Sequence, residues 1–130
     1  MPIVRITLKE GKSPEYLAAV SDSVYGAMRE HFALPEGDKF HIFEELDSNT
    51  FIYDRDFGAS EQRTDDFMLI QIVSDARRKS EKTALFKALC ERLAALPGVR
   101  PQDIAVSLTT TSTLEDASLG DGVAVGEAME

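Results

Sequence analysis

The sequence predicts an α+β fold, in which two tandem β-α-β units form a four-stranded mixed sheet with two helices on one face. Three observations predict it. Short stretches of strand character lie at residues 3–8, 39–43, 67–73 and 104–108. Between the members of each pair lies one stretch with apolar residues three and four apart, the period of a helix. Finally, the connectors Ala33-Leu34-Pro35-Glu36-Gly37-Asp38 and Gly98-Val99-Arg100-Pro101-Gln102-Asp103 stand about 65 residues apart, half of a 130-residue chain. A matched plan at that interval reads as an internal duplication.

Each element has its own signal. In the first strand Val4, Ile6 and Leu8 fall on one face and Arg5 and Thr7 on the other. Gly11-Lys12-Ser13-Pro14-Glu15 is a helix start, with Ser13 as N-cap, Pro14 in the first turn and Glu15 at the positive end of the dipole. Leu17, Val20, Val24, Ala27 and His31 or Phe32 continue that helix, which stops before Pro35. Lys39 to Phe43 reads as the second strand, and a polar excursion over 47–66 holds a short strand at Phe51-Ile52-Tyr53.

Phe67 to Val73 is apolar almost throughout, which predicts a strand buried on both faces. A helix from about Ser80 carries Leu85, Phe86, Leu89, Leu93 and Leu96 and ends at Pro97-Gly98. Ile104 to Leu108 closes the sheet. The chain is thus one domain, 1–130, with pseudo-repeats over about 2–46 and 66–110 and a C-terminal arm, 111–130, that docks on a neighbour. Two helices on one face leave the other face bare, and a bare apolar face calls for an oligomer.

Composition excludes several classes. Hydrophobic content of 43% and charged content of 28% describe a soluble globular protein. A net charge of −9 without a basic stripe argues against nucleic acid. No stretch approaches the roughly 20 apolar residues of a membrane span, and no leader pattern opens the chain. Cys90 is the single cysteine, fits a small apolar role, and suits a reducing cytoplasm. His31 and His41 read as structural or solvated, and with Cys90 they lack the spacing of a metal site. Gly120-x-Gly122 lacks the strand–loop–helix frame of a phosphate loop. No cofactor is expected.

Pro2 carries the chemistry. It follows Met1 directly and opens the first strand. Removal of Met1 would leave a terminal secondary amine with a free pKa of roughly 8. Burial lowers that value and carboxylates raise it. Such an amine serves as general base, general acid or carbonyl-directed nucleophile.

With these features in order, the chain resembles the tautomerase superfamily, and within it the malonate semialdehyde decarboxylase group and its tautomerase-like relatives. The resemblance spans nearly the whole chain. It rests on Pro2, Gly11-Lys12-Ser13, the run Phe32 to Phe40, Ile52-Tyr53-Asp54, Arg63-Thr64-Asp65-Asp66, Arg78, Gly98 to Asp103, and Ser118-Leu119-Gly120-Asp121-Gly122. It implies a trimeric, tautomerase-like barrel with a catalytic proline at the base of a pocket at each subunit boundary. It implies that Pro2 acts on a small oxo carboxylic acid, that Asp38 lies beside it, and that Arg78 grips the substrate carboxylate.

Departures from the family pattern are as informative. The first of two family arginines falls on Ala76, and Arg77, adjacent to Arg78, would point the other way in a plain extended segment. Arg77 replaces the missing arginine only if that loop is not a strand. Ala117 and Leu119 stand where the decarboxylase has large aromatics, so Leu119 would make a shorter substrate-binding wall. Tautomerisation through a neutral Pro2 and decarboxylation through a cationic one both follow from the resemblance. A non-catalytic carboxylate-binding oligomer and a dimeric ferredoxin-like barrel are the readings from other classes.

Overall fold

The computed structural model describes residues 2–111 and 113–128. In chain order the elements are β1 (Ile3–Lys9), α1 (Pro14–His31), β2 (His41–Leu46), β3 (Met68–Asp75), α2 (Lys79–Ala95), a 3-10 turn (Pro101–Asp103), β4 (Ile104–Thr111) and a short α3 (Val125–Ala128). The four strands form one sheet in the order β2-β1-β3-β4. β1 runs parallel to β2, β3 parallel to β4, and the two pairs meet antiparallel along β1 and β3.

Alternation in the strands decides where the core lies. Val4, Ile6 and Leu8 of β1 and Met68, Ile70 and Ile72 of β3 point toward the helices and are buried. They meet Val20, Val24 and Met28 of α1 and Leu85, Leu89 and Leu93 of α2, which recur at helical spacing. Each such side chain contributes about 1.5–3 kcal/mol by leaving water. Ser13 caps α1 as its motif predicts, accepting the Tyr16 N–H at 3.1 Å. Gly98, at φ +109, turns the chain out of α2, and its N–H returns to the Leu93 carbonyl at 2.9 Å.

Two expectations change. Phe51-Ile52-Tyr53 forms no strand: Phe51 and Tyr53 pack on the Phe67 ring at 5.8 and 4.5 Å between centroids, and Ile52 points outward. Ring stacking at the start of β3 replaces ladder pairing. The sheet face opposite the helices is also not uniformly apolar. Ile3, Leu69 and Val73 share it with Arg5, Thr7, Gln71 and Ser107. The Arg5 guanidinium donates to Glu44 at 3.1 Å and the Thr7 hydroxyl to the same carboxylate at 3.2 Å. A period of two puts Arg5 and Gln71 outward, so β3 is buried on the helix side and mixed on the other.

Candidate active site

β1 is an interior strand, and its pairing fixes the surroundings of Pro2. The Val4 N–H donates to the Phe40 carbonyl at 2.9 Å, and Ile3 stands opposite Val73. Residue 2 is therefore carried between the segment leading into β2, residues 38–40, and the last residues of β3, Ser74 and Asp75. Pro2 is buried there. A proline suits the first position of an interior strand, where a ladder donor is dispensable.

Asp38 stands in a tight turn ahead of β2. Its own N–H donates to the Pro35 carbonyl at 3.2 Å, and the Lys39 N–H donates to Gly37 at 2.9 Å. Gly37 has φ +87, a conformation that side chains disfavour, and its N–H is held by the Tyr25 hydroxyl at 2.9 Å. Asp38 lines two adjoining cavities. The larger, about 410 Å³, has Pro35, Asp38 and Phe40 on one side and Leu119, Val123 and Val125 of the tail on the other. The smaller, about 280 Å³, is shared by Asp38 with Phe32, Asp75, Arg77 and Leu114.

The two arginines part company at the end of β3. Arg77 donates from Nη1 to Asp75 Oδ2 at 2.7 Å and from Nη2 to the Phe32 carbonyl at 3.4 Å. Its guanidinium carbon lies 4.7 Å from the Phe32 ring centre, and its side chain is only 13% exposed. Arg77 Nε is buried without a hydrogen-bond partner among the described residues. Arg78 is the N-cap residue of α2; its Nε lies 3.2 Å from Glu81, and its side chain is 84% exposed. Within one chain this reverses the expected orientations. β3 ends at Asp75, residues 76–78 leave the ladder, and strand alternation no longer governs where each side chain points. The condition under which Arg77 could take the place of the arginine missing at Ala76 is thereby met.

Asp75 is the site residue that sequence reasoning missed; its signal was the Asp-x-Arg spacing at a strand end. Burial pushes its carboxyl upward, but the Arg77 hydrogen bond and charge hold it below the ordinary carboxylate value. Phe40, Val123 and Val125 were also unforeseen as lining. The tail is bonded within itself: the Val125 N–H donates to the Ala117 carbonyl at 2.8 Å, and Ser118 bridges Ala124.

The histidines stand apart. His41 Nδ1 meets the Ser21 hydroxyl at 2.7 Å, and burial lowers its pKa to about 4, so it is neutral at pH 7. His31 lies 3.6 Å from Glu30. Among the described residues no group of three or more His, Cys, Asp or Glu is placed to hold a metal ion, and no helix is long and apolar enough to cross a membrane. Burial raises the pKa of Cys90.

Known proteins resemble this chain in sequence and fold. A family model described as tautomerase enzyme matches residues 38–120, and a second of the same description matches residues 2–59. The probable tautomerase YusQ of Bacillus subtilis is 31% identical over 123 residues, 94% of this chain and 95% of that protein. The structure of FG41 malonate semialdehyde decarboxylase inhibited by 3-bromopropiolate superposes with a TM-score of 0.88 at 30% identity, covering 98% of this chain and 95% of the other. A fused 4-OT symmetric trimer has the same fold, with a TM-score of 0.78 at 19% identity over 98% of this chain and 99% of its own.

Proposed function

Because the chain belongs to the tautomerase family, we propose that it is a cofactor-independent enzyme whose reactive group is the Pro2 amine, freed by removal of Met1, and whose substrate is a small oxo carboxylic acid. The observation that carries this reading is the convergence, at the start of β1, of Pro2, Asp38 and the Asp75–Arg77 pair. Arg77 takes the carboxylate-binding role that the resemblance implies for Arg78. The free Nε, with Nη2 beside it, leaves one edge of a planar fork for a substrate carboxylate. Arg78, at the solvent-exposed helix start, is left to a neighbouring subunit or to solvent.

The reaction is keto–enol tautomerisation. Neutral Pro2 accepts the enol hydroxyl proton, giving an ammonium and an enolate. That ammonium then protonates the enolate carbon, leaving the ketone and the neutral amine. Arg77 offsets the negative charge that grows on the substrate. Asp38 orients the amine and stabilises its protonated form.

A second reaction has its own support. Carboxylates at Asp38 and Asp75 favour a cationic resting amine, which suits decarboxylation of a 3-oxo acid. There the cationic amine polarises the carbonyl by donating a hydrogen bond; in the covalent variant it first gives up its proton, adds as the neutral amine to the carbonyl, and loses water to form an iminium. The bond to the carboxylate breaks, its electron pair moves into the enol or enamine, and CO₂ leaves. The pKa of the amine, read by NMR of proline-labelled protein, separates the two.

The assembly is a homotrimer in the cytoplasm. In support, the mixed sheet face of Ile3, Arg5, Leu69 and Val73 has no covering layer among the described residues, and the fused 4-OT protein with this fold is a trimer. Intact mass after borohydride reduction with candidate oxo acids tests the amine directly. A mass increase confined to chains lacking Met1 is expected. If no oxo acid is turned over and none is trapped, the chain is a carboxylate-binding homologue instead.

A further inference from the structure

Resting on that reading of the site, we infer that the substrate carries a single carboxylate and an apolar substituent of about four to six carbons. Its carboxylate sits on Arg77 and its substituent in the cavity between Phe40 and the tail, with Leu119 and Val123 setting the choice.

The two cavities that adjoin at Pro35 and Asp38 differ in chemistry. Among the described residues, Arg77 in the smaller is the only cationic side chain lining either of them. In the larger, Phe40, Leu119, Val123 and Val125 supply the surface, and the charged groups are Asp38 and Asp121. An anion entering it would leave water for a mainly apolar wall and face the Asp38 and Asp121 carboxylates. A dicarboxylate whose first anion lies on Arg77 must put its second anion there, which Coulomb repulsion and desolvation both oppose. At about 410 Å³ the cavity lies within the size range of small-molecule sites, roughly 300–1,000 Å³, and suits a branched alkyl or phenyl group.

The wall that makes this selection is built by backbone the sequence can spare. Asp121 at φ +59 and Gly122 at φ +70 turn the tail, and the Val123 N–H closes onto Gly120 at 3.2 Å. The turn presents Leu119 and Val123 from its two sides. Phe40, Leu119 and Val123 are 40%, 41% and 38% exposed, an apolar surface that a substituent would cover.

Calorimetry with unreactive saturated acids tests the inference without asking for turnover. Acetate, 4-methylpentanoate, 3-phenylpropanoate and succinate are titrated at pH 7 into the intact protein and into Pro2→Ala. The two apolar monoacids should bind at least about tenfold tighter than acetate, since each buried methylene is worth about fourfold. Succinate should bind no tighter than acetate. Leu119→Asp, and independently Val123→Asp, should erase the preference while leaving acetate affinity within about threefold. Circular dichroism checks that each variant is folded, which the partial exposure of both side chains favours.

The preference should persist in Pro2→Ala. If it persists there while no acid is turned over by the unaltered chain, the amine chemistry is wrong and the specificity stands. If succinate equals or exceeds 3-phenylpropanoate, if none of the four acids binds, or if both Asp variants keep the preference, the inference is overturned whatever Pro2 does.

Discussion

The two β-α-β units take the same course and finish it differently. Where β1 is preceded by Pro2, β3 is preceded by Phe67. Asp38 ahead of β2 corresponds to Asp103 ahead of β4. Asp38 lines both cavities; Asp103 is 1% exposed and accepts both the Thr64 N–H at 2.7 Å and the Thr64 hydroxyl at 2.6 Å. Arg77 corresponds to Lys12, which is paired with Asp66 and lies 4.8 Å from the Tyr16 ring centre. After β2 comes the excursion with Phe51 and Tyr53, whose rings pack on Phe67. After β4 comes a tail of small residues that leaves about 410 Å³ open. One framework thus carries two equivalent ends, and the segment after each outer strand decides which is filled. The proposed chemistry lies at the end where the aromatic filling is missing.

The largest expected effects test that contrast at residues 2 and 67. Pro2→Ala, or a chain that keeps Met1, should lose at least about a hundredfold in turnover with little change in melting temperature. Phe67→Ala should do the opposite, costing about 3–5 kcal/mol of stability by emptying the aromatic cluster. Equal turnover in a folded Met1-retaining chain would remove Pro2 from the chemistry. Unchanged melting of Phe67→Ala would show that the second end is not held by its filling.

Next come the basic residues. Arg77→Ala should reduce kcat/KM by roughly thirtyfold to a thousandfold, the worth of a desolvated charge-assisted contact. Arg77→Lys should recover part, because the ammonium keeps the charge and loses the fork. Arg78→Ala should stay within about threefold. Damage from Arg78→Ala with a neutral Arg77→Ala would restore the register read from the sequence, with a neighbouring subunit enclosing Arg78. For the aspartates, Asp103→Ala should cost about 1–3 kcal/mol, since it strands two half-buried Thr64 donors. Asp38→Asn should act on rate instead, with melting nearly unchanged.

The boundary between legible and illegible features of this chain is physical. Ile3 to Leu8 and the helix after Ser13 were legible because alternation, capping and helical spacing are local. The place of Pro2 at the head of β1 was legible from position alone, and that of Asp38 from the turn before β2. The enclosed place of Arg77 and the exposed place of Arg78 were not, because they depend on where β3 ends and on a guanidinium folding back onto Asp75. Phe51 and Tyr53 looked like a strand because aromatic alternation is identical for a ladder and for rings stacked on Phe67. Arg5 and Gln71 were visible as outward-facing, yet the face was read from its apolar members. Asp103 looked like a turn residue, since its partner Thr64 is 39 residues away.

Acid titration gives the smallest effects and resolves the open end further. His41 and Ser21 correspond to Val106 and Phe86 in the other unit, so this polar latch belongs to the first unit alone. The folded pKa of His41, about 4, is lowered chiefly by burial and next by the Lys39 charge, with Asp22 opposing. The unfolded chain therefore takes the proton first, at about 6.5. Its contribution is complete above that value, declines as the pH falls toward 4, and then levels off. His41→Gln should flatten that part of the melting profile. Asp75 acts lower: its folded pKa is below the ordinary carboxylate value, so its contribution is full above about 4 and is lost as the pH falls through the folded value. Asp75→Asn should flatten only this more acidic limb.

Asp75→Asn should also change the chemistry, through the amine. A nearby anion stabilises an ammonium, so removing it lowers the amine's pKa. In the rate–pH profile the limb belonging to Pro2 should move to lower pH. Arg77, released from Asp75 at 2.7 Å, should hold the substrate carboxylate at least as well, leaving KM unchanged or lower. A purely structural role for Asp75 would lower activity at every pH without moving the limb. A profile that superimposes on that of the unaltered chain would place the amine's control with Asp38 alone.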